Sequence, residues 1–221
     1  MKILHKQGYH LLAALALAGL VWALASSSAL GGSFLGLSTS RWLVLAVVFP
    51  ILHQLYVVVG WRAELYYGWL SKILGDKAFT AWSIGFMALF LTRPLTVLAL
   101  GIANRGSLSI PLWINIPLIA VCLGITIFMA YSFTKYFGAE RALGRDHFDP
   151  RAYRGQPLIR IGIFALSSNA MYNYAFLDLW MIGIIFQSWA ALLAAGFNHI
   201  FIWAHYLFTE APDMRAIYGE D

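Results

Sequence analysis

Charge is scarce in this chain. Asp, Glu, Lys and Arg make up only 11% of its 221 residues, against about 25% in a soluble domain. That leaves too little polar surface for a water-soluble globule. Cysteine is nearly absent as well. The lone Cys122 excludes an internal disulfide framework, and its place inside an apolar segment marks it as a packing residue. Neither a GxGxxG following a strand nor a Walker-type phosphate loop occurs, which argues against a soluble nucleotide-binding fold. Internal repeats, Pro/Ser-rich linkers and low-complexity tracts are missing, so the chain reads as one domain. It also has no basic-aromatic nucleic-acid motif. A partner other than nucleic acid must therefore explain the pI near 9.4.

Apolar residues fill the space that charge vacates, at 61% of the chain. About 20 mainly apolar residues are needed to span a bilayer as a helix. Six apolar segments stand out, near 9–28, 42–60, 79–103, 112–134, 174–187 and 188–208. The fifth is short and runs into the sixth without a charged break, which predicts a tight or partly re-entrant hairpin. The expected fold is an all-α polytopic membrane bundle. Four N-terminal spans occupy 1–134, and a polar loop plus the C-terminal hairpin occupies 135–221.

The basic residues sort by side. Lys2 and Lys6, Arg62, Lys72 and Lys77, Lys135, Arg141, Arg145, Arg151, Arg154 and Arg160, and Arg215 all fall on one set of loops. The opposite loops carry only Arg41 and Arg105. The positive-inside rule then puts both termini and the 135–172 loop in the cytoplasm, beside anionic lipid. This is the pattern of a multi-pass protein of a bacterial inner membrane or its equivalent. The N-terminus has some marks of a signal peptide, with Lys2 and Lys6, an apolar run and Ala23-Leu24-Ala25 before three serines. An uncleaved first span fits the even span count better.

Three stretches carry chemistry. The loop 135–160 holds Gly138, Gly144 and Gly155 among basic residues and aromatics. It reads either as a lipid-facing connector or as a lip whose glycines let backbone approach a ligand. In the last span, Asn198, His199, His205, Tyr206, Thr209 and Glu210 fall within an arc of about 140° at 100° per residue. Such a polar stripe faces a bundle interior or a wet cavity. Interhelical hydrogen bonding explains any one of these residues, but six together point to a site. His199 and His205 are six residues apart, off the i, i+4 spacing of a helical ligand pair, so no metal is expected. Serines 167 and 168 lack a nucleophile elbow. Arg93, before Pro94 inside the third segment, either snorkels from a span ending near Thr92 or lines a cavity as a substrate contact.

Asn169, Ala170, Met171 and Tyr172 run in succession just before the hairpin, and Glu210, Ala211, Pro212, Asp213 and Met214, then Tyr218 and Gly219, follow it. A hairpin returns the chain to the side it left, so the two motifs are expected at one membrane face. The first resembles the Asn/His-Pro-x-Tyr motif of the membrane methyltransferases that include phosphatidylethanolamine N-methyltransferase and isoprenylcysteine carboxyl methyltransferase. The second resembles their Glu-Glu-x-x-Leu-x-x-x-Phe-Gly ending, with its spacing kept. The likeness covers about 135–221. The chain departs from the pattern at Ala170, Asn173 and Ala211.

The resemblance implies methyl transfer from S-adenosyl-L-methionine at the cytoplasmic face. The acceptor it implies is a membrane lipid, with the asparagine at 169 leaning toward a phospholipid amine. Gly138, Gly144, Asn169, Met171, Tyr172, His205, Tyr206 and Glu210 are the cofactor-binding candidates. His205 and Glu210 are the candidates for proton transfer, with His199 a further acceptor. Asn198, His199 and Arg93 are the substrate-binding candidates. A prenylcysteine carboxylate, a small thiol or another lipid remains an alternative acceptor. Sterol reductases using a nicotinamide cofactor are a more distant enzyme alternative. A transporter or structural membrane protein is the non-enzymatic one, although the chain shows neither internal repeats nor paired broken helices.

Overall fold

A computed structural model describes residues 2–25 and 29–219. It is an all-α bundle with one small hairpin of strands, β1 (Ser33–Phe34) and β2 (Leu37–Ser38). The first four long helices are α1 (Gln7–Leu24), α2 (Thr39–Tyr67), α4 (Ala78–Ala103) and α5 (Leu112–Ser132), with a short α3 (Trp69–Leu74) between α2 and α4. Short helices α6 (Ala139–Ala142), α7 (Arg145–Phe148) and α8 (Pro150–Tyr153) order the polar loop. Then come α9 (Ala170–Tyr174), α10 (Leu177–Ile185), α11 (Trp189–His205) and α12 (Ala211–Tyr218). The expected end of the first span, at 28, and the three serines lie outside the described residues.

Among the described residues five helical stretches are long and apolar enough to cross a membrane, and Ala170–Ile185 is shorter. At 1.5 Å per residue that stretch covers about 24 Å, less than the ~30 Å of a hydrocarbon core. It therefore descends as the short arm of a hairpin with α11. Lipid-like side chains line the outside, among them Leu12, Leu15, Ile84, Leu95, Ile116 and Ile127, as expected where helices meet hydrocarbon.

α11 is the central helix. It packs against α1, α2, α4 and α10. Ala190, Ala191, Ala194 and Ala195 are fully buried along it, and small side chains let helix backbones approach closely in a membrane. Leu43, Val97, Leu100, Phe197 and Phe201 fill the remaining core. α10 lies between α4 and α5 and packs on both. Toward the end of the bundle that carries the strand hairpin, Phe186 and Ile182 lie against Gly101.

One asparagine closes that end. Asn104 Nδ2 donates to Ala29 O (2.8 Å) and Gly31 O (3.2 Å). Its Oδ1 accepts from Ser107 Oγ (2.8 Å), Ser188 Oγ (3.0 Å) and Ala190 N (3.0 Å). Ser188 also caps α11 by accepting from Ala191 N, a standard use of serine at a helix start.

The opposite, basic end gathers the N-terminus, the start of α4, the polar loop and α12. Its anchor is Arg62, buried near the end of α2. Arg62 Nε donates to Asp213 Oδ1 and Oδ2 (3.1 and 3.0 Å), Nη1 to Ile3 O and His5 O, and Nη2 to Phe208 O and Thr209 O. All five N–H groups of the guanidinium are used, so this buried cation is paired and fully hydrogen-bonded. Trp61 and Trp82 both donate their indole N–H to Leu143 O, which pins the polar loop onto α2 and α4.

Candidate active site

Two wider turns shape the basic end. Residues Phe133–Phe137 and Tyr206–Glu210 each form a single π-helical turn, a feature common at functional sites. The second turn carries Glu210. Arg62 donates to the Phe208 and Thr209 carbonyls within it, so the anchor of the fold also fixes the turn that presents Glu210.

The two polar motifs meet there. The Tyr172 hydroxyl, on α9, donates to the carboxylate of Glu210. The Tyr172 ring lies 5.2 Å from that of Tyr206 and 5.8 Å from that of Trp203. The approach to α9 is ordered by Ser167, whose Oγ accepts from Asn169 N (3.1 Å) and Asn173 Nδ2 (2.9 Å). Asn173 thus stabilises the turn that delivers Asn169. Ala170 is fully buried beside Met129, Ile163 and Phe164, which seats the motif on α5.

Two cavities share a wall at this pair. A polar cavity of about 340 Å³ is lined by Asn169, Met171, Tyr172, Tyr206 and Glu210, with Arg141, Arg160 and Arg215 around them. An apolar cavity of about 490 Å³ runs inward from Gly144 and His147, past Trp61, Phe90 and Met129, to His53 and Arg93. Phe137, Arg141, Asp146, Met171, Tyr172 and Glu210 line both. Each volume lies in the range of small-molecule sites.

A chain of charged contacts holds the wall. Arg141 stacks between aromatic rings, with Cζ 5.6 Å from the Tyr218 ring and 5.8 Å from that of Phe137. Its Nη2 donates to Tyr218 OH, which donates to Asp146 Oδ2 (3.0 Å). Asp146 Oδ1 pairs with His147 Nδ1 at 2.8 Å. The His147 ring stacks on Trp61 at 4.4 Å, and its Nε2 lies 3.8 Å from Asp213 Oδ2. Burial opposes charge on His147, but the Asp146 hydrogen bond and the two carboxylates outweigh it and raise its pKa to about 9. Burial likewise opposes ionisation of Asp146. His147, Tyr218 and Arg141 overcome that and hold its carboxyl below the usual range.

The structure separates the other candidates. His205 is buried and faces the apolar cavity, not the polar one, with Nδ1 unpartnered. Gly144 has φ +79°, and a side chain there would meet the Trp61 indole. It is a packing glycine on the apolar side and does not reach the polar cavity. Gly138 has φ +84° with open space around it and lines neither cavity. The loop's contribution to the polar cavity comes from Arg141 and Asp146 rather than from glycine backbone. Asn198 is fully buried and donates to Ala194 O and Ala46 O, joining α11 to α2. His199 Nδ1 accepts from Trp180 Nε1 at 3.0 Å, and its ring stacks on Phe176. Both lie off the cavity walls. Arg93 does line the apolar cavity, and so do His53 and Gln54, which sequence reasoning passed over. Two adjacent polar residues inside a span were the available signal. Among the described residues no group of three or more His, Cys, Asp or Glu side chains is arranged to hold a metal.

A helical membrane bundle with a polar chamber and an apolar chamber meeting at one tyrosine–carboxylate pair suits transfer between a polar donor and a lipid-like acceptor. Residues 113–221 match the family model described as phospholipid methyltransferase. That match, in a chain of long apolar helices, indicates methyltransferase activity at a membrane. No curated protein and no solved structure matches the chain.

Proposed function

We propose that the protein transfers methyl from S-adenosyl-L-methionine to the amine of a phospholipid head group at the cytoplasmic membrane face. The observation that carries this reading is the wall shared by the two cavities, with the Tyr172–Glu210 pair in it. The side chains of the polar cavity fit the cofactor. Glu210 is placed for an ammonium and Arg141, Arg160 or Arg215 for a carboxylate. Asn169 and Ser168 suit ribose hydroxyls, and the rings of Phe137 and Tyr206 suit a sulfonium or an adenine face. When bound, the cofactor supplies an electrophilic methyl group.

The chain's own residues supply alignment and proton acceptance. Tyr172 holds Glu210 in place through its hydroxyl. The apolar walls around Trp61, Phe90 and Met129 exclude water from the acceptor side. Transfer by displacement gains most from such positioning. A protonated amine must lose a proton before it attacks. His205, whose ring lines the acceptor side, takes it in this reading. The basic end faces the cytoplasm by the positive-inside rule, next to anionic lipid.

Incubation of the nanodisc-embedded protein with methyl-labelled cofactor and phosphatidylethanolamine tests the reading. Label is expected in the extracted lipid amine, at least tenfold less with Glu210→Gln. Labelled methyl ester in place of labelled amine would move the acceptor to a carboxylate. No labelled lipid from protein that binds the cofactor would overturn the lipid-acceptor reading.

A further inference from the structure

Two buried arginines sit inside long helices of this bundle, and they are treated oppositely. Every donor of Arg62 has a protein acceptor. Arg93 is just as buried, 2% exposed, yet its Nε and Nη2 have no partner. Among the described residues no carboxylate lies within ion-pairing distance of it. Arg93 is about 22 Å along α4 from the basic end at 1.5 Å per residue, deep in the span. A cation at that depth is costly, and the protein offers it only the face of the Phe176 ring, 5.7 Å from Cζ, among the described residues. Pro94, next in the chain, also lacks the N–H that would bond the Phe90 carbonyl.

The surroundings are donor-rich and equally unpaired. His53 is buried between α2 and α4 with both ring nitrogens free of hydrogen bonds. The edge of Phe86 holds its ring at 4.6 Å. Gln54 gives its oxygen to His10 Nε2 at 2.6 Å and leaves Nε2 unpartnered. Thr126 Oγ1, on α5, is buried and unpartnered too. All four side chains line the inner part of the apolar cavity. The carboxylates on that cavity's wall have partners of their own. Asp146 is bound by His147 and Tyr218, Glu210 by Tyr172, and Asp178 by the Leu179 amide. The cavity is walled by α4 through Met87 and Phe90 and by α5 through Met129 and Ala130. Met87, Phe90 and Ala130 are exposed, which points to a sideways opening between the halves of α4 and α5 nearer the basic end.

We propose that Arg93, with His53, Gln54 and Thr126, forms an oxyanion-binding subsite for an amphiphile that enters between α4 and α5 with its acid group directed at the Arg93 guanidinium. A lipid phosphodiester and the carboxylate of an apolar acid share this chemistry. Identifying that amphiphile with the methyl acceptor rests on the function proposed above, whereas the subsite itself is readable without cofactor.

The test is thermal unfolding in maltoside micelles, titrated with dodecyl phosphate, dodecanoate or dodecanol, with cofactor binding measured by calorimetry on the same preparations. Wild type is expected to be stabilised saturably by one or both acids and not by dodecanol. Arg93→Met should bind the acid at least tenfold more weakly, and Arg93→Lys should recover part of the loss. Because Arg93 has no hydrogen-bond or ion-pair partner among the described residues, and methionine can still pack on the Phe176 ring, unliganded Arg93→Met should be no less stable than wild type, as apolar replacement of buried ions often is. Stabilisation by the phosphate alone would assign a phosphodiester lipid, and by dodecanoate alone a carboxylate lipid. Equal shifts with dodecanol, an unchanged response in Arg93→Met, or a strongly destabilised Arg93→Met would overturn the subsite. A preparation that binds the acids but not the cofactor would leave the subsite standing and overturn the methyl-transfer reading instead.

Discussion

Replacing Arg62 by methionine is the sharpest perturbation of this architecture. The guanidinium bonds Asp213, two N-terminal carbonyls and the Phe208 and Thr209 carbonyls. Methionine roughly fills the space but leaves Asp213, which is fully buried, as a carboxylate with its cation gone. Removing one partner of a buried pair costs about 3–5 kcal/mol, a shift of roughly 10²- to 10⁴-fold in the unfolding equilibrium. The four released carbonyls push toward the upper end. Unfolding by SDS in mixed micelles, followed by tryptophan fluorescence, reads the loss directly. A double-mutant cycle with Asp213→Asn should show coupling of about 0.5–3 kcal/mol, the range for residues in contact. Cofactor affinity should fall in parallel, because the turn that carries Glu210 loses its anchor. Losses that add within about 0.5 kcal/mol, with unchanged cofactor affinity, would refute the view that this pair holds the site in place.

Three further outcomes follow from the same geometry. Gly144→Val should destabilise by roughly 1–3 kcal/mol, the usual cost of a non-glycine residue in a sparsely populated backbone region, and the Trp61 clash raises it; SDS unfolding measures it, and neutrality would mean the loop does not pack as described. His147 has its folded pKa raised to about 9 from an unfolded value near 6.5, so its contribution of about 3 kcal/mol is complete below pH 6.5 and lost as pH rises through 9. Unfolding at pH 6 and pH 9.5 should show that decline, and His147→Gln should flatten it. Tyr172→Phe removes a hydrogen bond to a charged group, worth about 1.5–3 kcal/mol, and should weaken cofactor binding roughly tenfold or more in calorimetry.

The spans and the meeting of the two motifs were legible because hydropathy and hairpin logic act over whole segments. The side-chain assignments were less so, for identifiable reasons. The helical wheel placed Asn198, His199, His205, Tyr206 and Glu210 on one stripe by assuming a uniform turn. The π turn at Tyr206–Glu210 breaks that register, so Tyr206 and Glu210 face the polar cavity while His205 faces the apolar one. Asn198 and His199 were polar for a different purpose, bonding Ala46 and Trp180 across helix contacts. Gly144 looked like a ligand-facing glycine and serves Trp61 instead, a contact between residues far apart in the chain that no local pattern reveals. Arg62 read as a loop charge at the end of a span, and only the fold shows it enclosed by acceptors from five residues of the N-terminal segment, the π turn and α12. Arg93 was visible as a mid-span cation, while its lack of a hydrogen-bond or ion-pair partner emerges only from the packing of α2, α4 and α5 around it.

The most direct test of the central claim is isothermal calorimetry of S-adenosyl-L-methionine with the protein in nanodiscs, wild type beside Glu210→Gln. The account predicts saturable 1:1 binding in the wild type, weakened at least tenfold when the Glu210 charge is removed, with both proteins equally folded by SDS titration. Folded wild type that takes up no cofactor, or a Glu210→Gln variant that binds as tightly, would contradict it.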